Sequence, residues 1–313
     1  MAFPTAVTGH KLFADAKDLS DSTRFVIFGV PYDRTASFRP GARFAPDRIR
    51  EASYNFETYI TDLGVDLRDV PFADIGDVEE VGAPKEMVRA VYEVAREVVS
   101  APVFTSASTG SILPFVVGGE HSVSPSVVRA LFEKYGTEMG VLVVDAHLDF
   151  RDEYLGEKHS HACAVRRISE TVSVEKVWVV GVRSASREEH SDAVEMGLRW
   201  FSPEEAEKLG ARGIVERFFS TVGVQRVYLS VDIDGIDPSE APGTGTPEPF
   251  GLRAVFVRDM IRAIGGRLVG MDVVEVCPPV DNGNTAALAA RLLREAMAVV
   301  CSADRRHEVE GRK

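Results

Sequence analysis

Gly140-Val141-Leu142-Val143-Val144-Asp145-Ala146-His147-Leu148-Asp149 decides the fold and much of the chemistry. Its first half is an unbroken apolar run of strand length. Such a run reads as a strand covered on both faces, the habit of parallel sheets packed between helices. The run then breaks into two carboxylates and an imidazole at alternate positions. If the chain stays extended there, Asp145, His147 and Asp149 project to one side. They would do so at the carboxyl end of a parallel strand, where open α/β sheets build their sites.

Outward from that stretch, apolar runs alternate with longer amphipathic segments. Strands are expected at 25–29, 115–117, 141–144, 177–180, 227–231 and 268–274. Helical spacing covers 45–53, 85–100, 125–135, 186–197, 203–219, 252–264 and 285–301. Ser202-Pro203-Glu204-Glu205 offers a capping hydroxyl and first-turn acids for one of these helices. No linker, repeat or low-complexity segment divides the chain. The expectation is a single three-layer α/β/α domain over 1–313 with a mostly parallel central sheet, and with 1–20 and the polar end 302–313 peripheral.

With 313 residues, of which 45% are apolar, the chain can bury a large core. Its net charge of −12 lacks the clustered cations that nucleic acids and anionic membranes demand, which argues against both partners. Cys163, Cys277 and Cys301 form no CxxC pattern and suit reduced thiols. The start shows no secretory leader, and no apolar stretch approaches the ~20 residues of a membrane span. A cytoplasmic protein is expected.

Two further strand ends carry ligand-type residues. Val227-Tyr228-Leu229-Ser230-Val231 runs into Asp232 and Asp234, which share a side by the two-residue period, while Asp237 before Pro238 reads as a turn acid. Pro114-Phe115-Val116-Val117 runs into Gly118-Gly119-Glu120-His121-Ser122, whose glycines permit a sharp turn. Singly, each has a plain alternative: a DxD is often only solvated, and a lone His is usually structural. Together they offer His121; Asp145, His147 and Asp149; and Asp232 and Asp234. These hard oxygen and imidazole donors, without a thiolate, suit Mn²⁺ or Mg²⁺ better than structural zinc. Four ionised carboxylates in one cleft repel one another strongly, and two dications would neutralise them. A binuclear centre that activates water near neutral pH is therefore expected.

These elements resemble the arginase/agmatinase/ureohydrolase family. The likeness extends through GVPYDRTASFRPGARFAPDRIR at 29–50, SVDIDGIDPSEAPGTGTPEPFGL at 230–252 and MDVVEVCPPVD at 271–281. AHLDF followed by RDEY and KHSHACAVRR is most similar to agmatinase-like members. The resemblance implies an arginase-like fold holding two Mn²⁺ ions per subunit. His121, Asp145, Asp149 and Asp232 would hold one, and Asp145, His147, Asp232 and Asp234 the other. It further implies that His161 relays a proton to the leaving amine, that Asp149 helps move it, and that Glu275 binds the guanidinium. The implied reaction converts agmatine, a small cationic guanidino substrate, to putrescine and urea in polyamine biosynthesis, by a homo-oligomer, trimeric or hexameric.

Other readings stay open at this point. A guanidino acid could replace agmatine, as in an arginase or guanidinobutyrase. The run Arg151-Asp152-Glu153-Tyr154 with Glu157 reads first as a solvated charged loop; beside that, its acids could favour an ammonium and Arg151 could meet a carboxylate. Cys163, two residues from His161, would be the nucleophile of a deiminase. A metallophosphoesterase would need GNH- and GHxH-like segments, which are missing among the seven histidines. A non-catalytic partner subunit could keep the fold alone. Glu120, Ala162, Phe250 and Cys277 depart from common family residues and bear on substrate fit more than on metals.

Overall fold

The apolar runs do form strands, and their neighbours set the site. In the computed structural model residues 7–8, 11–79, 82–101 and 111–310 are described. The strands are β1 (Val7–Thr8), β2 (Phe25–Gly29), β3 (Tyr59–Ile60), β4 (Val65–Asp66), β5 (Phe72–Val78), β6 (Leu113–Val117), β7 (Met139–Val144), β8 (Val177–Val180), β9 (Arg199–Phe201), β10 (Arg226–Asp232) and β11 (Leu268–Val274). The helices are α1 (Ala45–Ser53), α2 (Pro84–Ser100), α3 (Ser124–Tyr135), α4 (Ala164–Val172), α5 (Arg187–Met196), α6 (Pro203–Val222), α7 (Ala254–Ile264) and α8 (Asn284–Glu310).

One sheet has the order β1-β5-β2-β6-β11-β10-β7-β8-β9, parallel throughout except for β1 at its edge; β3 and β4 pair separately. Alternation along each strand feeds two cores. Phe25, Phe115, Leu142, Trp178, Leu229 and Val273 pack with α1, α6, α7 and α8. Val26, Val116, Val143, Val179 and Val274 pack with α2, α3 and α4. This is the expected three-layer arrangement. Trp178 is wedged between Phe201 and Phe218, each with ring centroids 5.4 Å away. Among the described residues no helix is long and apolar enough to cross a membrane.

Five strands, β1, β3, β4, β5 and β9, and one helix escaped the pattern. β5, Phe-Ala-Asp-Ile-Gly-Asp-Val, is broken by Asp74, Gly76 and Asp77. Arg50, fully buried on α1, explains those acids: its Nε lies 2.8 Å from Asp74 and its Nη1 2.5 Å from Asp77. β9 is three residues long, too short to show a period. α4 buries Val165, Ile168 and Val172 at helical spacing, but polar and basic residues separate them. Part of the stretch expected to be peripheral at 1–20 is packed in. Phe13 is 1% exposed against Phe72, and its N–H donates to Asp74 at 2.7 Å. α8 continues to Glu310 rather than ending at 301.

The strand order matters most for function. The last two strands, β10 and β11, insert between β6 and β7. Four adjacent strands therefore end side by side, followed by Gly118-Gly119-Glu120-His121, Glu275, Asp232-Ile233-Asp234 and Asp145-Ala146-His147. Register aligns them: Val117 opposes Val273, Asp232 opposes Val274, and Val231 opposes Val144. Asp145 and Asp232 thus leave neighbouring strands at the same level, about 4.8 Å apart in backbone spacing.

Candidate metal centre and cleft

His121 enters from the turn after β6. Gly119 makes that turn possible, because a Cβ there would lie 1.8 Å from the Tyr32 carbonyl oxygen. Glu120 N–H donates to the same carbonyl at 2.8 Å, and Glu275 N–H donates to the Gly119 carbonyl at 2.8 Å. The His121 ring lies over β10. Its Nε2 is 3.1 Å from Ser230 Oγ, which donates to Asp272 Oδ1 at 2.6 Å, while Tyr228 donates to Asp272 Oδ2 at 2.6 Å. With its only proton given to Asp272, the Ser230 hydroxyl can only accept from Nε2–H. His121 therefore carries its proton on Nε2 and turns a lone pair on Nδ1 toward the site.

That lone pair meets carboxylates. Nδ1 is 3.0 Å from Asp149 Oδ2, 3.1 Å from Asp145 Oδ2 and 3.4 Å from Asp232 Oδ2. His121 Nδ1 and Asp145 Oδ2 are buried and have no hydrogen-bond partner. Buried polar atoms facing one another with lone pairs call for a cation between them. The other oxygens are already used, which fixes each carboxylate. Asp145 Oδ1 accepts from His147 N–H at 2.6 Å, Asp232 Oδ1 from Asp234 N–H at 3.0 Å, and Asp234 Oδ1 from Ala146 N–H at 3.1 Å.

A second group adjoins the first. His147 Nδ1 lies 3.1 Å from Asp234 Oδ2, to which Thr246 Oγ1 donates at 2.9 Å. The ligand atoms of His121, Asp145, Asp149 and Asp232 all lie within 4.8 Å of one another, and so do those of Asp145, His147 and Asp234. Asp145 belongs to both groups. Asp232, expected in both, falls only in the first. All six residues are brought together, although the chain does not stay extended as expected. It bends at Ala146, and Asp149 reaches the site with a left-handed φ of 45°. Glu275 likewise has φ 60°. Left-handed backbone at non-glycine residues concentrates at functional sites.

Electrostatics point to the same need for positive charge among these carboxylates. Burial first, then Asp234 and Asp145, drive the Asp232 carboxyl well above its ordinary range. Burial and then Asp145 push Asp149 up to about 7. Burial opposes a second proton on His121, but unless an ion balances them Asp145, Asp149 and Asp232 outweigh burial and draw that proton in, the same positive charge that a metal on the Nδ1 lone pair would supply. Two oxygen- and nitrogen-bound dications fit this donor set, and their charge would remove the repulsion. The expected consequence of chelation is a loss of stability. Two ions at about 100 times their Kd add roughly 5 kcal/mol, or about 10 °C in Tm for a chain of this size. Thermal melts of chelated and Mn²⁺-reloaded protein test this; identical melts would mean that no ion neutralises the cluster.

Beside the cluster opens a cleft of about 200 Å³ lined by His147, Asp149, Arg151, Tyr154, His161 and Glu189 among others. His161 begins the turn before α4, with Nε2 3.3 Å from Ser37 Oγ and its ring edge-on to Tyr154. Burial, then His121 and His147, hold its protonation down to about 4. Glu275, 7% exposed, accepts from His121 N–H at 2.8 Å. Burial, then Glu120, raise its carboxyl well above the usual range. Asp237 is the turn acid expected, accepting from Ser239 and Gly251 N–H. Cys163 is fully buried, and burial pushes its thiol up to about 12, which leaves the deiminase reading without a thiolate.

Sequence reading missed the residues behind this frame: Tyr228, Ser230, Asp272, Thr246 and Thr35. A signal existed for three of them. Tyr228, Ser230 and Asp232 alternate along an apolar strand, and Ser230 pairs in register with Asp272. Polar residues at period two in a buried strand need a common polar partner.

A family model described as Arginase family matches residues 23–299. The chain is 33% identical over 300 residues to the agmatinase of Bacillus cereus, covering 94% of this chain and 98% of that one. It is 37% identical to the N(1)-aminopropylagmatine ureohydrolase of Thermococcus kodakarensis, covering 87% of this chain and 89% of that one. The crystal structure of the agmatine ureohydrolase of Thermoplasma volcanium superposes with a TM-score of 0.87 at 38% identity, covering 96% and 98% of the two chains.

Proposed function

The chain belongs to the arginase family of amidinohydrolases, and on that premise we propose that it cleaves agmatine to putrescine and urea. The observation that carries the reading is the His121 Nδ1 lone pair set among three buried carboxylates, one of which has an unpartnered oxygen. His121, Asp145, Asp149 and Asp232 would hold one manganese ion, and Asp145, His147 and Asp234, with Asp232 shared, the other. When bound, the ions supply water activation and positive charge near the reacting carbon.

The chain's own groups supply orientation and proton movement. A guanidinium is a poor electrophile, since its charge is delocalised, so it must be held in one pose. Glu275 receives the cation by charge-assisted hydrogen bonds. Asp149 accepts a proton beside the reacting carbon, and His161, lining the cleft, takes up a proton on its free ring nitrogen and passes it to the departing amine. The same reading includes a cytoplasmic setting, in keeping with cysteines that form no disulfide, a place in polyamine biosynthesis, and a homo-oligomeric assembly. Urea release from agmatine, N(1)-aminopropylagmatine, arginine and 4-guanidinobutyrate, with and without added manganese, tests it. Metal-loaded protein inert on all four would defeat the proposal.

One observation favours a second substrate class. The acids near the cleft are diverted: Asp152 pairs with Lys158 and Arg167, and Glu157 accepts from His159 N–H. Arg151 stays at the cleft, 3.4 Å from Glu189 and over the Tyr154 ring. A carboxylate tail would meet Arg151, whereas an ammonium tail would meet Glu189. Arg151→Ala is expected to raise kcat/KM for agmatine a few-fold and lower it about tenfold for 4-guanidinobutyrate, the cost of one charge-assisted bond. Steady-state kinetics on both substrates decide between the tails.

A further inference from the structure

Glu120 belongs to neither ligand group, yet it is fully buried. Three donors reach its carboxylate: Thr35 N–H at 2.8 Å, Thr35 O–H at 2.6 Å and Ser122 O–H at 2.7 Å. Burial works against its charge, but both carboxylate oxygens face only donors, so the geometry casts Glu120 as an acceptor. The informative partner is the Thr35 hydroxyl, which has one proton and two lone pairs. Its proton goes to Glu120. One lone pair receives the His161 backbone N–H at 2.9 Å, and the other faces His161 Nδ1 at 3.2 Å.

A hydroxyl whose only proton is committed can meet Nδ1 only as an acceptor, so Nδ1 must carry hydrogen. Ser160 Oγ, 3.3 Å from the same nitrogen, can also accept and does not reverse the assignment. Nε2 then keeps its lone pair and faces Ser37 Oγ in the cleft. We propose that Glu120, through the Thr35 hydroxyl, is a positioning residue that fixes His161 in the Nδ1–H tautomer and so directs proton exchange with the departing amine to Nε2. The inference rests on the amidinohydrolase reading above. It also gives Glu120, whose side chain touches no ligand atom of the two groups, a task in the chemistry.

Thr35→Val keeps the shape and removes the hydroxyl. It is expected to lower kcat about 30-fold, within the range of a misdirected acid–base group, with KM and metal content within about twofold. Thr35→Ser should recover most of the loss. In a His161→Ala background the same Thr35→Val change should alter kcat less than about twofold, because the effect passes through the imidazole. An equal loss in both backgrounds would make Thr35 merely structural, and no loss in either would also overturn the inference. If Thr35→Val does not fold, Thr35→Ala carries the same comparison. The wild-type assay separates the two claims: without urea release the functional reading falls, whereas urea release with an indifferent Thr35→Val defeats the tautomer assignment alone.

Discussion

Asp145→Asn is expected to lower kcat/KM for the preferred guanidino substrate by at least about 10³-fold, roughly 4 kcal/mol of transition-state stabilisation, and to strip metal from the protein. Asp145 belongs to both candidate ligand groups. Its Oδ1 is occupied by His147 N–H, and its Oδ2 is buried without a partner beside His121 Nδ1. Asn can keep the first bond but removes a charge and a good anionic donor from both groups at once. The fold should survive, because the substitution is isosteric and relieves repulsion among Asp145, Asp149, Asp232 and Asp234. Chelated Asp145→Asn is therefore expected to melt no lower than chelated wild type, while gaining far less from added manganese. Elemental analysis, urea release and thermal melts measure the three effects. A variant with two ions per subunit and turnover within tenfold of wild type would remove Asp145 from the centre.

The sequence made the ligands legible for a physical reason. A parallel sheet buried on both faces leaves only its carboxyl edge for polar work, so an apolar run that stops on Asp or His marks the edge directly. Asp145 and Asp232 follow this rule, and His121 follows it at one remove, after the Gly118-Gly119-Glu120 turn. It does not reveal strand order, and without the insertion of β10 and β11 between β6 and β7 those edges would not be neighbours. Nor does it reveal residues that act across the sheet. Asp272 sits inside β11 with apolar neighbours, and only its register with Ser230 discloses its role under His121. β5 was illegible because its acids answer to Arg50, a partner 24 and 27 residues away in sequence. Thr35 and Glu120 are 85 residues apart, and no local pattern links them. What local reading cannot supply, in each case, is a long-range polar contact.

His161→Ala is expected to lower kcat about 10²–10³-fold, the usual worth of a positioned acid–base group, while both metal ions stay bound. The contrast with Asp145→Asn follows from position. His161 lines the cleft with His147 and Asp149, and its ring contacts Thr35, Ser37, Ser160 and Tyr154. It belongs to neither ligand group, so its removal leaves their charge balance intact. KM should change little, because the imidazole hands a proton to the departing nitrogen and does not hold the guanidinium; an interaction realised only in the transition state appears in kcat. The missing group leaves a gap of imidazole size between Ser37 and Tyr154, so added imidazole should restore part of the turnover. Turnover equal to wild type would exclude His161 from proton transfer. Loss of metal together with activity would instead reveal that His161 supports the ligands, and the division between a metal frame and a separate proton relay would fall.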